Sequence, residues 1–341
     1  MPTSDLDRLL DFPRVDLGLW PTPVSYVQRP GKPGILIKRD DLSGHGRGGV
    51  KTRKIEHLVG YMLANGYDEF VTAVGNVTNL VHDIVPVLQR FGIAWQIFIN
   101  NDPPLPAADR ERIFGDLREH VQLLGPARAR TAGSMVAASL KSRRRGRRPL
   151  LVLPSLMHPA GAVGNARGFI EMMSQVRAEG HELPGTVFIT VASGTTLAGF
   201  LLAENALRHD GHPPIRIFGV QVYPGQARLW VLGLIRWTER FLGLRQRVPA
   251  RRIELISSSL HGGFGRYPEE LAHLCLDLRE EVGINVDPIF GGKTWSAMES
   301  HLSSRATEDD SPVLYWHCGY TPNWQALDEV VNRRPARTGG V

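Results

Sequence analysis

An α/β fold built on parallel sheets is what this sequence predicts, and three observations carry the prediction. Short runs rich in β-branched and aromatic residues recur along the chain, such as Phe70-Val71-Thr72-Ala73-Val74 and Val187-Phe188-Ile189-Thr190-Val191. Helix-length segments separate most of these runs, which is the pattern of βαβ units. The chain has 341 residues, 42% hydrophobic and 22% charged, ordinary for two domains or one large α/β unit.

In chain order, residues from about 5 to 11 read as a short amphipathic helix. Trp20-Pro21-Thr22-Pro23-Val24 is extended, because each proline restricts the residue before it. A strand follows at about 34–38 and a helix at about 51–64, where Ile55, Leu58, Val59, Met62 and Leu63 fall at helical spacing. A strand at about 69–74, a helix at about 79–91 and a strand at about 94–99 come next. Asn101-Asp102-Pro103-Pro104 breaks that run. Helices at about 108–120 and 133–143 lead to a strand at about 150–153. The pattern continues with helix 160–178, strand 187–191, helix 195–208 and strand 215–220, all approximate bounds (about ±2 residues). Helices at about 224–243, 268–282 and 292–304 precede the last strand, at about 313–316, and a helix at about 322–332. The polar end, residues 334–341, reads as a disordered tail.

The net charge is +6 and the pI about 9.5. Much of the excess is one cluster: Lys141, Arg143, Arg144, Arg145, Arg147 and Arg148. Without interleaved aromatics it reads as a solvated helix end, and no nucleic-acid partner is expected. No apolar run is long enough for a membrane span, and the first residues lack a signal pattern. Cys275 and Cys318 lie far apart without metal-ligand spacing, which suits a reducing, cytoplasmic setting. His82, His158, His261 and His317 show no metal spacing and read as structural. No metal is expected.

Three loops at strand ends carry chemistry, where α/β folds place ligands. Gly48-Gly49-Val50-Lys51-Thr52-Arg53-Lys54 puts Lys51 after a flexible pair and in the first turn of a helix. Neighbouring cations and the positive helix end disfavour an ammonium there, as an amine nucleophile requires. Ala192-Ser193-Gly194-Thr195-Thr196 follows a strand and opens a helix. Small residues, hydroxyls and a helix N-terminus can cradle an anion, or simply make a capped turn. Gly75-Asn76-Val77-Thr78-Asn79 joins another strand to a helix, with hydroxyl and amide side chains available for capping or catalysis.

Lys38-Arg39-Asp40-Asp41 followed by Gly48-Gly49-x-Lys51-Thr52-Arg53-Lys54-x-Glu56 closely resembles the 1-aminocyclopropane-1-carboxylate (ACC) deaminase/D-cysteine desulfhydrase family. These are pyridoxal 5′-phosphate (PLP) enzymes of fold type II, the tryptophan synthase β-like group. The resemblance runs along most of the chain. It implies two three-layer α/β/α domains with mostly parallel sheets. A large domain would span 1–51 and 159–341, with a smaller one, 52–158, inserted. Lys51 would carry PLP as an internal aldimine and serve as catalytic base. Ser193, Gly194, Thr195 and Thr196 would hold the phosphate. Thr78 stands where the family has a catalytic serine, and Asn79 where an asparagine contacts the PLP 3′-oxygen.

The chain departs from the family at informative places. Val50 replaces an asparagine beside the lysine. In Asp287-Pro288-Ile289-Phe290-Gly291-Gly292-Lys293-Thr294, Phe290 and Gly291 replace the deaminase branch's tyrosine and glutamate, and Phe264 aligns with a second active-site tyrosine. Phe264, Phe290, Thr78 and Asn79 would border the substrate. Cys318, in His317-Cys318-Gly319, takes a threonine's place and would neighbour the ring nitrogen. The resemblance therefore implies a PLP-dependent lyase or deaminase for a small amino acid, divergent from true ACC deaminase. It would act by β-elimination, giving ammonia and a 2-oxo acid. β- or γ-replacement or cyclisation, and a catalytically impaired PLP-binding protein, are the alternatives. Family members are usually homodimers.

Overall fold

The computed structural model describes residues 4–29, 32–46, 48–75, 80–100, 121–124, 128–222, 225–257, 266–304 and 311–319. The elements are α1 (Asp5–Leu10), β1 (Val24–Arg29), β2 (Lys32–Arg39), α2 (Val50–Ala64), β3 (Glu69–Gly75), α3 (Leu80–Arg90), β4 (Ala94–Asn100) and β5 (Val121–Leu124). They continue with α4 (Arg128–Arg144), β6 (Pro149–Val152), α5 (Pro159–Ala178), β7 (Thr186–Val191), α6 (Thr195–His209), β8 (Arg216–Gln221) and α7 (Ala227–Leu242). The last are β9 (Glu254–Ser257), α8 (Glu269–Asp277), α9 (Gly291–Ser304) and β10 (Val313–His317).

One sheet has the order β1-β2-β10-β7-β8-β9, the other β5-β4-β3-β6. Every pairing is parallel except the hairpin of β1 on β2, where Val24 faces Lys38. The fold is thus α/β with mostly parallel sheets. Parallel strands buried on both faces need apolar residues at successive positions. In β3 the two faces divide Phe70 and Val74 from Val71 and Ala73. In β10, Leu314 and Trp316 face the α5–α6 core, while Val313 and Tyr315 face the core of α8 and α9.

The expected elements among the described residues are present, with ends shifted by a few residues, except at α8. It stops at Asp277, where a π-type turn, Leu278–Val282, takes over. The short strands β1, β5 and β9 were not foreseen: four to six residues carry too little periodicity. The helices expected at about 108–120 and 322–332, and the tail 334–341, lie outside the described residues. The basic cluster lies along the end of α4 and the following turn, and its cations are exposed. Among the described residues, no helix is long and apolar enough to cross a membrane.

The first half of the Lys38-to-Glu56 motif is structural. Lys38 is fully buried and its amine bonds the Thr22 carbonyl and Glu171 Oε1, both at 2.6 Å, and also Gln175. Asp40 is fully buried and accepts from Arg53 (2.9 and 2.8 Å), Thr22 (2.8 Å) and Trp316 (3.0 Å). Arg53 reaches on to both Glu171 oxygens at 2.9 Å. Gly164 and Gly168 of α5 allow this crossing, since a Cβ at Gly164 would stand 2.1 Å from the Arg53 carbonyl oxygen. One web of charges therefore ties β2, α2, α5 and β10 together.

Candidate active site

Lys51 is placed by a loop that closes on itself and on the end of β10. After β2, Asp40–Leu42 forms a single 3-10 turn, and the Gly49 N–H donates to the Asp40 carbonyl (2.7 Å) and Ser43 Oγ (3.0 Å). Gly49 has φ +94°, and a Cβ there would lie 2.0 Å from the Cys318 carbonyl oxygen. That same oxygen accepts the Val50 N–H at 3.0 Å. The glycine is needed both for its left-handed backbone and for this close approach. The start of α2 is thus seated on Cys318-Gly319.

The charges around Lys51 differ in part from the sequence expectation: Lys54 remains a neighbouring cation, but Arg53 does not. Arg53 turns into the buried web and directs its donors to Asp40 and Glu171. A carboxylate instead faces Lys51: Asp83 Oδ2 of α3 is 3.6 Å from Lys51 Nζ. The Lys51 side chain is 37% exposed and that of Asp83 only 4%.

Lys54, one turn on, is buried. Burial first, then the Lys51 charge, pulls its pKa down to about 8. Gly161 lies between Lys54 and the hydroxyl loop: the point where its Cβ would stand is 3.6 Å from both Lys54 Cβ and Thr195 Cγ2. This contact brings the first turn of α2 to the first turn of α6. In that loop Gly194 is the N-cap with φ +84°, and Ser193 Oγ and Thr195 Oγ1 are 3.1 Å apart. Thr195 and Thr196 are buried and Ser193 is half-buried. The leading N–H groups of a helix have no intrahelical partner, so this turn offers donors to an anion.

Cys318 lies at the third corner. Its S–H donates to the Trp316 carbonyl at 3.7 Å, and on neighbouring β7 Thr190 Oγ1 is 2.6 Å from Thr294 Oγ1 of α9. Burial pushes the Cys318 thiol up to about 12, so it stays a neutral S–H. Asp287 caps the segment before α9, accepting from the N–H groups of Ile289, Phe290 and Gly291. Phe290 is half-buried there. At Gly291 a Cβ would come within 3.0 Å of Tyr315 Oη and Val286 Cβ, and Tyr315 donates to the Gly291 carbonyl at 3.2 Å. Tyr315 and Val286 thus crowd the position where a glutamate side chain would begin.

Thr78, Asn79, Phe264 and His261 lie outside the described residues. His158 is the N-cap of α5, and burial takes its pKa down to about 4. His317 pairs with the Asn285 carbonyl at 2.9 Å. Neither is offered to this cleft. Among the described residues no cluster could hold a metal ion.

A profile of the family described as "Pyridoxal-phosphate dependent enzyme" matches residues 15–319. The chain belongs to that family. It is 28% identical over 324 residues to a putative 1-aminocyclopropane-1-carboxylate deaminase of Pyrococcus abyssi, covering 93% of this chain and 94% of the relative. It is 26% identical over 343 residues to D-cysteine desulfhydrase of Salmonella paratyphi A, covering 94% and 97%. The crystal structure of an ACC deaminase homologue superposes with TM-score 0.78 at 25% identity, over 97% of this chain and 99% of that one. Threonine deaminase isoform 2 of Solanum lycopersicum, TM-score 0.65 at 15% identity, shares the fold.

The protein is therefore a PLP-dependent enzyme of fold type II, and its residues fit the cofactor. Lys54 is a buried cation with no carboxylate partner among the described residues, beside a loop that offers donors. A phosphate dianion answers both. Lys51 would supply the amine for the cofactor's aldehyde, and Cys318 a neutral group. Lys54 was missed from the sequence, although its place in the Arg53-Lys54 pair was the available signal.

Two outcomes follow from the titrations. Inorganic phosphate is expected to raise the Tm of the cofactor-free protein. The increment should shrink as the pH rises through about 8, where Lys54 gives up its proton; an increment unchanged from pH 6.5 to 9 would remove Lys54 from the cradle. The Cys318 thiol is held up at about 12, and burial also pushes Cys275 up. Iodoacetamide at pH 8 should leave both unmodified in the native protein and alkylate both after unfolding, read by intact mass.

Proposed function

We propose that this enzyme is a lyase or deaminase for a small amino acid, expelling a β-substituent to give ammonia and a 2-oxo acid. The observation that carries the reading is the meeting of the Lys51 turn, the Ser193–Thr196 turn and Cys318 at the ends of β2, β7 and β10. The relatives' names, ACC deaminase and D-cysteine desulfhydrase, support the reaction class.

In this reading the side chains divide the work. Bound PLP supplies the electron sink that makes a proton on the substrate Cα removable. Lys51 holds the cofactor, then takes and returns that proton at its Nζ. Ser193, Gly194, Thr195 and Thr196 grip the phosphate with hydroxyls and helix-start N–H groups, and Lys54 balances its charge. Cys318 would neighbour the ring nitrogen as a neutral thiol, since no carboxylate grows from Gly291. A neutral neighbour leaves the ring a weaker sink, which suits loss of a good β-leaving group better than opening of a cyclopropane. Phe290 makes its side of the pocket apolar. The substrate-side roles of Thr78, Asn79 and Phe264 rest on the motifs alone.

The same reading assigns a large domain, 1–51 and 159–341, around the six-stranded sheet, and a smaller one, 52–158, around the four-stranded sheet. It also takes the enzyme to be a cytoplasmic homodimer. The unpaired cysteines suit a reducing compartment, and α7 exposes Leu229, Trp230 and Trp237 for a subunit contact.

The test is a screen of D- and L-amino acids for 2-oxo acid release. Serine, cysteine and β-chloroalanine of one configuration should react, and 1-aminocyclopropane-1-carboxylate should not. Turnover of that cyclic substrate at rates comparable to the others would defeat the reading. Substituted amino acids formed only when a thiol or amine is added would move the enzyme to β-replacement, which the Phe290 and Gly291 exchanges also accommodate.

A further inference from the structure

Asp83 has no part in the reading above, yet its carboxylate is ion-paired with Lys51 at 3.6 Å. It stands in the first turn of α3, whose other buried positions are apolar: Leu80, Val81, Ile84, Val85, Val87 and Leu88. A carboxylate buried on such a face costs desolvation that an apolar residue would not. The loop carrying Lys51 is also fitted around it. A Cβ at Gly46 would come 2.7 Å from Asp83 Oδ1, and His45 Nε2 lies 3.2 Å from the Asp83 carbonyl oxygen. One carboxylate oxygen is thus covered by the loop and the other is 3.6 Å from Lys51 Nζ. That separation is closed to hydrogen-bond distance by a small side-chain rotation.

A first-turn acid also favours its own helix through the dipole. That explanation accounts for an acid anywhere around the turn. It does not account for burial against the one amine of the cleft that has to lose a proton before it can attack a carbonyl.

We propose that Asp83 is the positioning and proton-exchange partner of Lys51. The inference rests on the assignment of Lys51 as the cofactor lysine. The exchange is self-contained: the N–H bond of the Lys51 ammonium breaks, an O–H bond forms on Asp83 Oδ2, and both side chains end neutral. The lone pair so exposed on Nζ is the nucleophile for an aldehyde carbon. When Lys51 is displaced again it leaves as a neutral amine able to take the substrate Cα proton, and the protonated Asp83 keeps it beside the substrate by donating a hydrogen bond to Nζ.

The experiment is the rate of covalent PLP uptake by cofactor-free protein, followed by absorbance and by borohydride trapping with peptide mapping. Non-covalent PLP affinity is measured in parallel by equilibrium dialysis. Asp83→Asn, of the same shape, should keep that affinity and slow attachment to Lys51 by about 100-fold, the scale of a lost proton-transfer partner. Asp83→Ala should be similarly slow and recover on adding formate, a mobile carboxylate. A helix-stabilising acid would change Tm but neither the ratio of attachment rate to affinity nor the response to formate. Attachment by either folded variant at the wild-type rate would overturn the proposal. Should neither variant fold, the wild type decides through a water-soluble carbodiimide: a Lys51–Asp83 amide supports the contact, and coupling of Lys51 to other carboxylates alone refutes it. A wild type that takes up no PLP on Lys51 would instead sink the cofactor-lysine assignment and leave Asp83 with no function to serve.

Discussion

Replacing Arg53 with methionine should lower the stability of the fold by about 3–5 kcal/mol, the range for removing one partner of a buried charge pair. Arg53 donates to Asp40 and Glu171, and Asp40 is fully buried. Without the guanidinium, among the described residues Asp40 keeps the Thr22 and Trp316 donors, and Glu171 keeps Lys38 and the Thr22 N–H. Methionine fills much of the volume, so the loss reports the uncompensated carboxylates rather than a cavity. Urea denaturation of the cofactor-free protein measures it, and a loss under 1 kcal/mol would show the web to be incidental.

The same web sets a pH dependence. Burial pushes the Asp40 carboxyl up, but the Arg53 charge and hydrogen bonds outweigh this and hold it below its ordinary range. Its ionised form therefore stabilises the fold at neutral pH. That contribution is fully present above the unfolded carboxylate's range and is lost as the pH falls through the lower, folded value. Wild-type stability should fall more steeply in acid than that of Asp40→Asn.

Lys51→Ala should abolish the yellow colour of the purified enzyme and reduce kcat by about 10⁴-fold, the upper end for a lost general base. Two effects combine, since in the proposed reading Nζ is both the point of attachment and the group that moves the proton. The variant should keep its fold, because Lys51 is 37% exposed and contributes nothing to the core. It should also keep phosphate-dependent PLP binding through the Ser193–Thr196 turn and Lys54. Retained colour at wild-type intensity, or retained turnover, would put the cofactor on another amine. Total loss of PLP binding with the fold intact would show that the turn at 193–196 contributes little grip.

Much of this was legible in the chain because it is local. Strand runs such as Val187–Val191 declare themselves by β-branched residues, and α2 by the spacing of Ile55, Leu58, Val59 and Met62. The glycines before Lys51 and the hydroxyls after β7 are readable because a sharp turn into a helix needs such residues. What escaped is short or long-range. β1, β5 and β9 hold too few residues for a period to emerge. α8 carries a helical pattern past Asp277, but the next turn widens at Leu278–Val282, which periodicity does not register. Arg53 read as a neighbour of Lys51, yet successive helix positions face different ways and its partners come from the turn after β2 and from α5.

By itself, then, the sequence determined the α/β class, the order of most elements, the family and the cofactor, since these depend on periodicity and on contiguous motifs. Only the tertiary structure decided what surrounds each group. It turned Arg53 into a structural charge, brought Lys54 to the hydroxyl turn, set Tyr315 and Val286 against Gly291, and placed Asp83 against Lys51. The reason is physical: a side chain's charge and reach are written in its residue type, but the dielectric, the neighbours and the free space that give them effect belong to segments far away along the chain.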